Sequence, residues 1–215
     1  MSGRVKRQPM LMKRIRKEYK QGKLIIGITG THQNVGVTHL GLMLATYLSE
    51  WLGHRTAYIE VGDKQPSSSD ISSLKSYFYG GEEESMEEDS YTVHRVTFYP
   101  QKDSKNLVDI MNDRYQCLIL DFGSDWKNIN EFLRCDIKIV VSSLAAWKKH
   151  KFMNFLTVSK EIKTSDSWIY AIPFAAEKQI KAAGREFGRS MYGVPYEPDP
   201  FLLSQNMIHF FRKFI

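Results

Sequence analysis

Six short apolar runs alternate with helical stretches from residue 24 to the C-terminus, and this alternation restricts the fold more than any other feature of the chain. The runs are LIIGIT (24–29), RTAYIEV (55–61), YTVHRVTFYP (91–100), QCLILDF (116–122), DIKIVVSS (136–143) and SWIYAIPF (167–174). Helical patterns separate them: THLGLMLATYLSEWL (38–52), DISSLKSYFYG (70–80), NLVDIMNDRY (106–115), DWKNINEFLRC (125–135), LAAWKKHKFMNFLTVSKEIK (144–163) and AEKQIKAAGREFGRSM (176–191). The terminal DPFLLSQNMIHFFRKFI also reads as helical. Apolar strands joined through helices pair in parallel and are covered on both faces. The expected architecture is therefore α/β: a three-layer domain over residues 23–215, with a mostly parallel twisted sheet and helices on both faces.

Residues 1–22 stand apart as a basic arm. Of the net +6, residues 1–23 carry +8, and the remaining 192 residues balance to −2. Such an arm is drawn to anionic surfaces, with each cation near an anionic leaflet worth about 1 kcal/mol. Arg14, Arg16 and Lys17 are its candidate membrane or partner contacts. It lacks interleaved aromatics for base stacking, which ranks nucleic acid below a membrane or a protein partner. No apolar run approaches the roughly 20 residues that span a bilayer, and the apolar stretch PMLM is too short for a secretory signal. Cys117 and Cys135 fall in or beside core elements, and neither belongs to a CxxC pair. The expectation is a cytoplasmic protein with two reduced, buried thiols, peripheral at the inner face of the membrane if the arm engages lipid. The six histidines show no sharp ligand spacing, so no metal cluster is expected.

The chemistry-bearing segment is GITGTHQNVGVTHLG (27–41), set between an apolar strand and an apolar helix. A phosphate-binding loop belongs at such a junction. Its backbone N–H groups and the helix N-terminus hold phosphate, its lysine reaches the β/γ-phosphates, and its Ser/Thr holds Mg²⁺. Gly36 and Thr38 stand where the second glycine and the Mg²⁺ ligand belong. Thr31 replaces the first glycine, and Val37 stands at the lysine.

These segments together resemble the MinD/ParA group of deviant P-loop ATPases, including the TadZ/CpaE-like proteins of pilus assembly. The family loop reads KGGxGKT[ST]. Laid on it, His32 takes the signature-lysine position, Gln33 and Asn34 the two glycines, Val35 and Gly36 match, Val37 takes the P-loop lysine, and Thr38 and His39 end the motif. YIEVGDKQP (58–66) resembles the family's second-strand segment, with Glu60 at its first aspartate and Gly62 at its second. YQCLILDFGS (115–124) is similar to the third motif and keeps Asp121, and GVPYEP (193–198) is similar to the late loop near the base. The resemblance implies a P-loop NTPase-like fold and a nucleotide site over Thr31–His39, with Thr38 and Asp121 toward Mg²⁺. It also implies a homodimer formed around ATP.

The departures set the functional expectation. A cationic contact to an anion is worth roughly 1.5–3 kcal/mol. Losing both lysines therefore weakens triphosphate binding by about two to four decades. The favoured expectation is a degenerate loop with no catalytic residue. The protein then acts as a non-hydrolysing scaffold or localisation factor for a membrane-associated assembly of the pilus or secretion type. No cofactor is required, and ATP or ADP with Mg²⁺ is the ligand if the loop retains one. The alternative is a nucleotide-switched ATPase that dimerises around ATP and uses His32 in place of lysine. A third reading is a partition-like protein that uses its basic arm on nucleic acid.

Three further segments carry alternatives. The acidic GGEEESMEEDS (80–90) is a surface loop that suits a partner. Lys148, Lys149, His150 and Lys151 cluster at the start of a helix, either as a solvated face or as an anion contact. Phe210, Phe211 and Phe214 share one face of the terminal helix with Leu203 and Met207. That face either packs on the sheet or lies in a membrane interface, where it would supply a second membrane signal beside the arm.

Overall fold

The computed structural model describes residues 22–62, 70–79, 90–102, 104–124 and 128–215. The basic arm, with Arg14, Arg16 and Lys17, and residues 80–89 of the acidic loop lie outside the described residues. Eight strands form one sheet: β1 (Leu24–Gly30), β2 (Thr56–Val61), β3 (Tyr91–Val93), β4 (Val96–Lys102), β5 (Cys117–Asp121), β6 (Ile137–Val141), β7 (Ile169–Pro173) and β8 (Met191–Val194). Their order is β3-β4-β2-β5-β1-β6-β7-β8. Every neighbouring pair is parallel except β3 with β4, which is antiparallel at the edge. The helices are α1 (Val37–Thr46), continued by a π-helical stretch Tyr47–Trp51, then α2 (Asp70–Tyr79), α3 (Ser104–Asn112), α4 (Ile129–Arg134), α5 (Lys149–Ser159), α6 (Glu177–Phe187) and α7 (Gln205–Phe211).

The expected three layers are present. One face of the sheet packs under α1, α2 and α7. The other packs under α3, α4 and α5, where Phe132, Phe152 and Trp168 are fully buried. β1 lies near the middle of the sheet and is buried along most of its length. Gly27 has no room for a side chain, because a Cβ there would lie 2.8 Å from the Cys135 sulfur and 2.9 Å from Phe132. Both cysteines are buried free thiols.

Three elements differ from expectation. Residues 91–100 are two strands, turned at His94 and Arg95, whose φ values of 47° and 63° carry the signs of a type I′ hairpin turn. The usual Asn-Gly signal is absent. Tertiary contact holds the turn instead, because the His94 ring stacks on Phe201 at 5.1 Å with Phe78 edge-on at 5.7 Å. Helix α6 stops at Phe187, capped by Gly188 at φ 62°, which releases the chain into β8. The third difference is functional. The aromatic face of α7, assigned above to membrane or partner contact as well as to core, belongs to the core. Phe210, Phe211 and Phe214 are buried. Phe211 stacks on Tyr47 at 5.3 Å, and Phe214 meets Tyr192 at 5.7 Å. The three rings thus have protein partners and offer a bilayer nothing.

Candidate functional site

The loop leaves the C-terminal end of β1, flanked by β5 and β6. Ligands of open α/β sheets bind at these strand ends. Two backbone bonds anchor it to its neighbours: Gly30 N–H donates to the Gly123 carbonyl at 2.7 Å, and Thr31 N–H to the Val141 carbonyl at 3.0 Å. Asn34 (φ 58°) and Gly36 (φ 96°) turn the chain into α1 through left-handed conformations. The loop therefore keeps a strand–turn–helix course with the first turn of α1 facing the cleft.

Its interior is apolar where the motif would be cationic. Val37 begins α1 and is only 7% exposed. Val35 and Val37 close over Gly30, where a Cβ would lie 2.7 Å from each. His32 is also buried, with Nδ1 and the Thr31 hydroxyl 3.0 Å apart, and the same hydroxyl lies 3.0 Å from the Ser142 hydroxyl. Burial, and next Lys148, Lys151 and His150, hold the His32 imidazole below its ordinary pKa. Its neutral form is favoured in the empty site.

Thr38 and Asp121, 83 residues apart, do meet: the Thr38 hydroxyl donates to Asp121 Oδ2 at 2.9 Å. The Tyr58 hydroxyl donates to the same oxygen at 2.6 Å, and Gly123 N–H donates to Oδ1 at 2.8 Å. Asp121 is 1% exposed. Tyr58 is fully buried. Burial first, and then the Asp121 carboxylate, push its pKa well above the ordinary value, so it stays a donor. It reaches Asp121 beneath α1 because residue 41 is glycine; a Cβ there would lie 2.7 Å from the Tyr58 ring. Glu60 stands in register beside Asp121 on β2. Gln33 is exposed, and His39 Nε2 lies 2.7 Å from the Glu197 carbonyl, tying α1 to the loop after β8.

The residues at the loop match a Mg²⁺-triphosphate site only in part. Mg²⁺ takes a near-octahedral set of oxygens, with carboxylate and phosphate among them. Both acceptor directions of Asp121 Oδ2 are spent on Thr38 and Tyr58, and Thr38 offers a single hydroxyl oxygen. At the two positions that the resemblance assigns to lysines stand the buried Val37 and His32, while Lys148 lines the cleft beside them.

A cavity of about 700 Å³ opens beside the loop. It runs from His32, Asn34 and Gly36 across the residues that follow β6, β7 and β8. Three exposed aromatics rim it: Trp147 (75% exposed), Phe174 (88%) and Tyr196 (75%). Sequence reasoning reached Tyr196 only within the segment 193–198, compared with a loop near the base, and did not pick out Trp147, Phe174 or Tyr58. Tyr58 had left a signal, since a tyrosine in a buried strand requires a hydroxyl partner.

No protein-family model matches the sequence, and no curated protein sequence does. Solved structures do match the fold. A protein described as a plasmid partition protein from Borrelia burgdorferi B31, bound to AMPPNP, superposes with a TM-score of 0.63 at 14% identity, covering 90% of this chain and 97% of that one. A ParA family ATPase from Chlorobium tepidum TLS gives 0.58 at 13% identity, covering 82% and 85%. The MinC:MinD cell division protein complex of Aquifex aeolicus gives 0.58 at 13%, covering 82% and 83%. The chain has the fold of the ParA and MinD ATPases. Among the described residues no helix is long and apolar enough to cross a membrane.

Proposed function

We propose that this chain is a non-hydrolysing member of that fold, acting as a scaffold or localisation factor for a membrane-associated assembly of the pilus or secretion type. One observation carries the reading: Val35 and Val37 fill the loop's interior over Gly30, so no loop cation faces a γ-phosphate. Phosphoryl transfer depends on positioning and charge stabilisation, and the chain has lost the charge. The MinC:MinD complex provides an example of this fold working through a protein partner. The test is phosphate release from Mg²⁺-ATP by the purified full chain. The expected rate equals that of Thr38→Ala and of buffer. A rate well above buffer that Thr38→Ala abolishes would overturn the reading.

The membrane half of the proposal now rests on the arm alone, because α7 is spent on the core. At about 1 kcal/mol per cation, replacing Arg14, Arg16 and Lys17 together with alanine should reduce partitioning onto phosphatidylglycerol-containing vesicles about a hundredfold at low salt. Co-sedimentation of both proteins measures this. Equal partitioning would remove the membrane from the proposal and leave a protein partner.

The second reading is a nucleotide-switched ATPase that dimerises around ATP and uses His32 as its cation. The AMPPNP-bound neighbour favours it, since the same fold accepts a triphosphate analogue there. The buried, neutral His32 weighs against it.

A further inference from the structure

Charge alone gives the arm a reversible hold on an anionic leaflet, and stable anchoring takes a second signal. We infer that the end of the sheet where the arm joins β1 supplies it: the exposed side chains of Trp51, Leu52, Tyr77 and Leu202 enter the headgroup region of an anionic bilayer. This rests on the membrane half of the proposed function, and it names the face that meets the lipid.

The register of the sheet fixes where the arm arrives. Leu24, Cys117, Thr56 and Val96 form one row across β1, β5, β2 and β4. The residues just before them, Lys23, Gln116, Arg55 and Arg95, therefore stand side by side at the strand starts. Backbone bonds tie three of these entries together: Leu24 N–H donates to the Gln116 carbonyl at 2.9 Å, and Gln116 N–H to the Arg55 carbonyl at 2.8 Å. The Lys23 ammonium is held at the same end by the Met111 and Asp113 carbonyls. The arm thus meets the domain about 20 Å along β1 from the loop at 30–38.

The apolar side chains stand at that same end. The π-helical stretch after α1 closes at Trp51, and Leu52 leads from it toward Arg55 and β2. Just before Trp51, the Ser49 hydroxyl donates to the His94 carbonyl at 3.3 Å, in the β3–β4 turn. The His94 ring stacks on Phe201, and Phe78 lies edge-on to Phe201 at 5.4 Å and to Tyr77 at 5.2 Å. Around this aromatic centre Trp51 is 47% exposed, Leu52 41%, Tyr77 80% and Leu202 72%. Exposed large apolar side chains gathered in one place mark a contact surface. Chemistry selects lipid as the contact. Trp and Tyr join an apolar body to a polar tip and concentrate at membrane–water interfaces. Arg55 and Arg95 are exposed beside them, with Glu50 as an exposed acid next to Trp51. Residues 1–23 bring a further +8 to this edge. An anionic leaflet meets both demands at once, with phosphates for the cations and the acyl boundary for the four apolar side chains.

Co-sedimentation of the full chain with vesicles of phosphatidylglycerol and phosphatidylcholine in equal parts tests the inference. Tyr77→Ser/Leu202→Ser, at two well-exposed positions, should lower partitioning about tenfold with the melting temperature unchanged. That ratio should hold as salt rises, whereas the effect of the arm substitutions should fade with screening. Contact itself is read from quenching of tryptophan fluorescence by brominated phospholipid in the same vesicles. Trp51→Phe should remove most of the quenching, and Trp147→Phe, which follows β6 at the opposite end of the sheet, should leave it. Quenching lost in Trp147→Phe and kept in Trp51→Phe would put the loop end on the bilayer and overturn the inference. Unchanged partitioning of the double variant, with the arm substitutions still effective, overturns the inference alone. Absence of partitioning by the unaltered chain overturns the membrane half of the proposed function with it.

Discussion

Phe211→Ala should cost about 3–5 kcal/mol of stability, the usual penalty for emptying a buried phenylalanine site. For a chain of this length that lowers the melting temperature by about 10 °C or more. The ring is fully buried, stacks on Tyr47 at 5.3 Å, and has Phe210 at 5.4 Å and Phe214 at 6.3 Å around it. Neighbouring rings cannot collapse into the void without leaving their own contacts with one another. The exposed His209 on the opposite face of α7 is the control; His209→Ala should stay within about 0.5 kcal/mol. Thermal and urea melts followed by circular dichroism measure both. A membrane-facing α7 gives the reverse pattern, an unchanged melt with vesicle binding lost, and that pattern would refute the packing described here.

How far the residues announced this fold depends on which elements are considered. β1, β2, β5, β6 and β7 were legible because strands buried on both faces must be apolar along their whole length, and LIIGITG, TAYIEV and CLILD carry that mark. The β3–β4 hairpin was not legible. Its turn holds two non-glycine residues at positive φ, and what stabilises them is the stacking of His94 on Phe201, more than a hundred residues away. β8 was missed although Gly188 marked the end of α6, because MYGV is short, contains glycine and is nowhere fully buried. α7 shows the limit of periodicity as evidence. A stripe of phenylalanines at helical spacing has the same sequence whether a sheet or a bilayer covers it, and only the positions of Tyr47 and Tyr192 decide.

The site divides along a similar line. The strand–loop–helix course follows from local order and was legible, whereas Thr38 and Asp121 were expected toward Mg²⁺ only through the family resemblance, and their direct hydrogen bond is a tertiary fact. Trp147 and Phe174 on the rim of the cavity were not legible, because they follow separate strand ends and nothing local to either points to the other, while Tyr196 was reached only through the likeness of residues 193–198 to a loop near the base. Tyr58 changes the meaning of Asp121. A carboxylate left open to solvent can help hold a metal, and one that two hydroxyls share is a clasp joining β2, β5 and α1.

That clasp gives the second large expected effect. Asp121→Asn should destabilise the domain by roughly 2–4 kcal/mol, although the new side chain has almost the same shape. The carboxylate accepts on both oxygens: from Thr38 and Tyr58 on one, from Gly123 N–H on the other. An amide has one oxygen and one donor group. In one orientation its NH₂ faces two hydroxyls, and in the other it faces the Gly123 N–H. Tyr58 has no water to turn to, being fully buried against Gly41. Tyr58→Phe removes one donor and relieves the conflict, so Tyr58→Phe/Asp121→Asn should cost less than the sum of the single changes, with a coupling of about 1 kcal/mol or more. Chemical denaturation of the four proteins closes the cycle. Were Asp121 instead an open catalytic carboxylate, Asp121→Asn would leave stability unchanged or raise it, since charged active-site groups commonly cost stability. Additive costs would likewise show that Tyr58 and Asp121 do not act together. Strong coupling makes Asp121 part of the frame that holds the loop against the sheet, a structural reason for the residue that does not depend on catalysis.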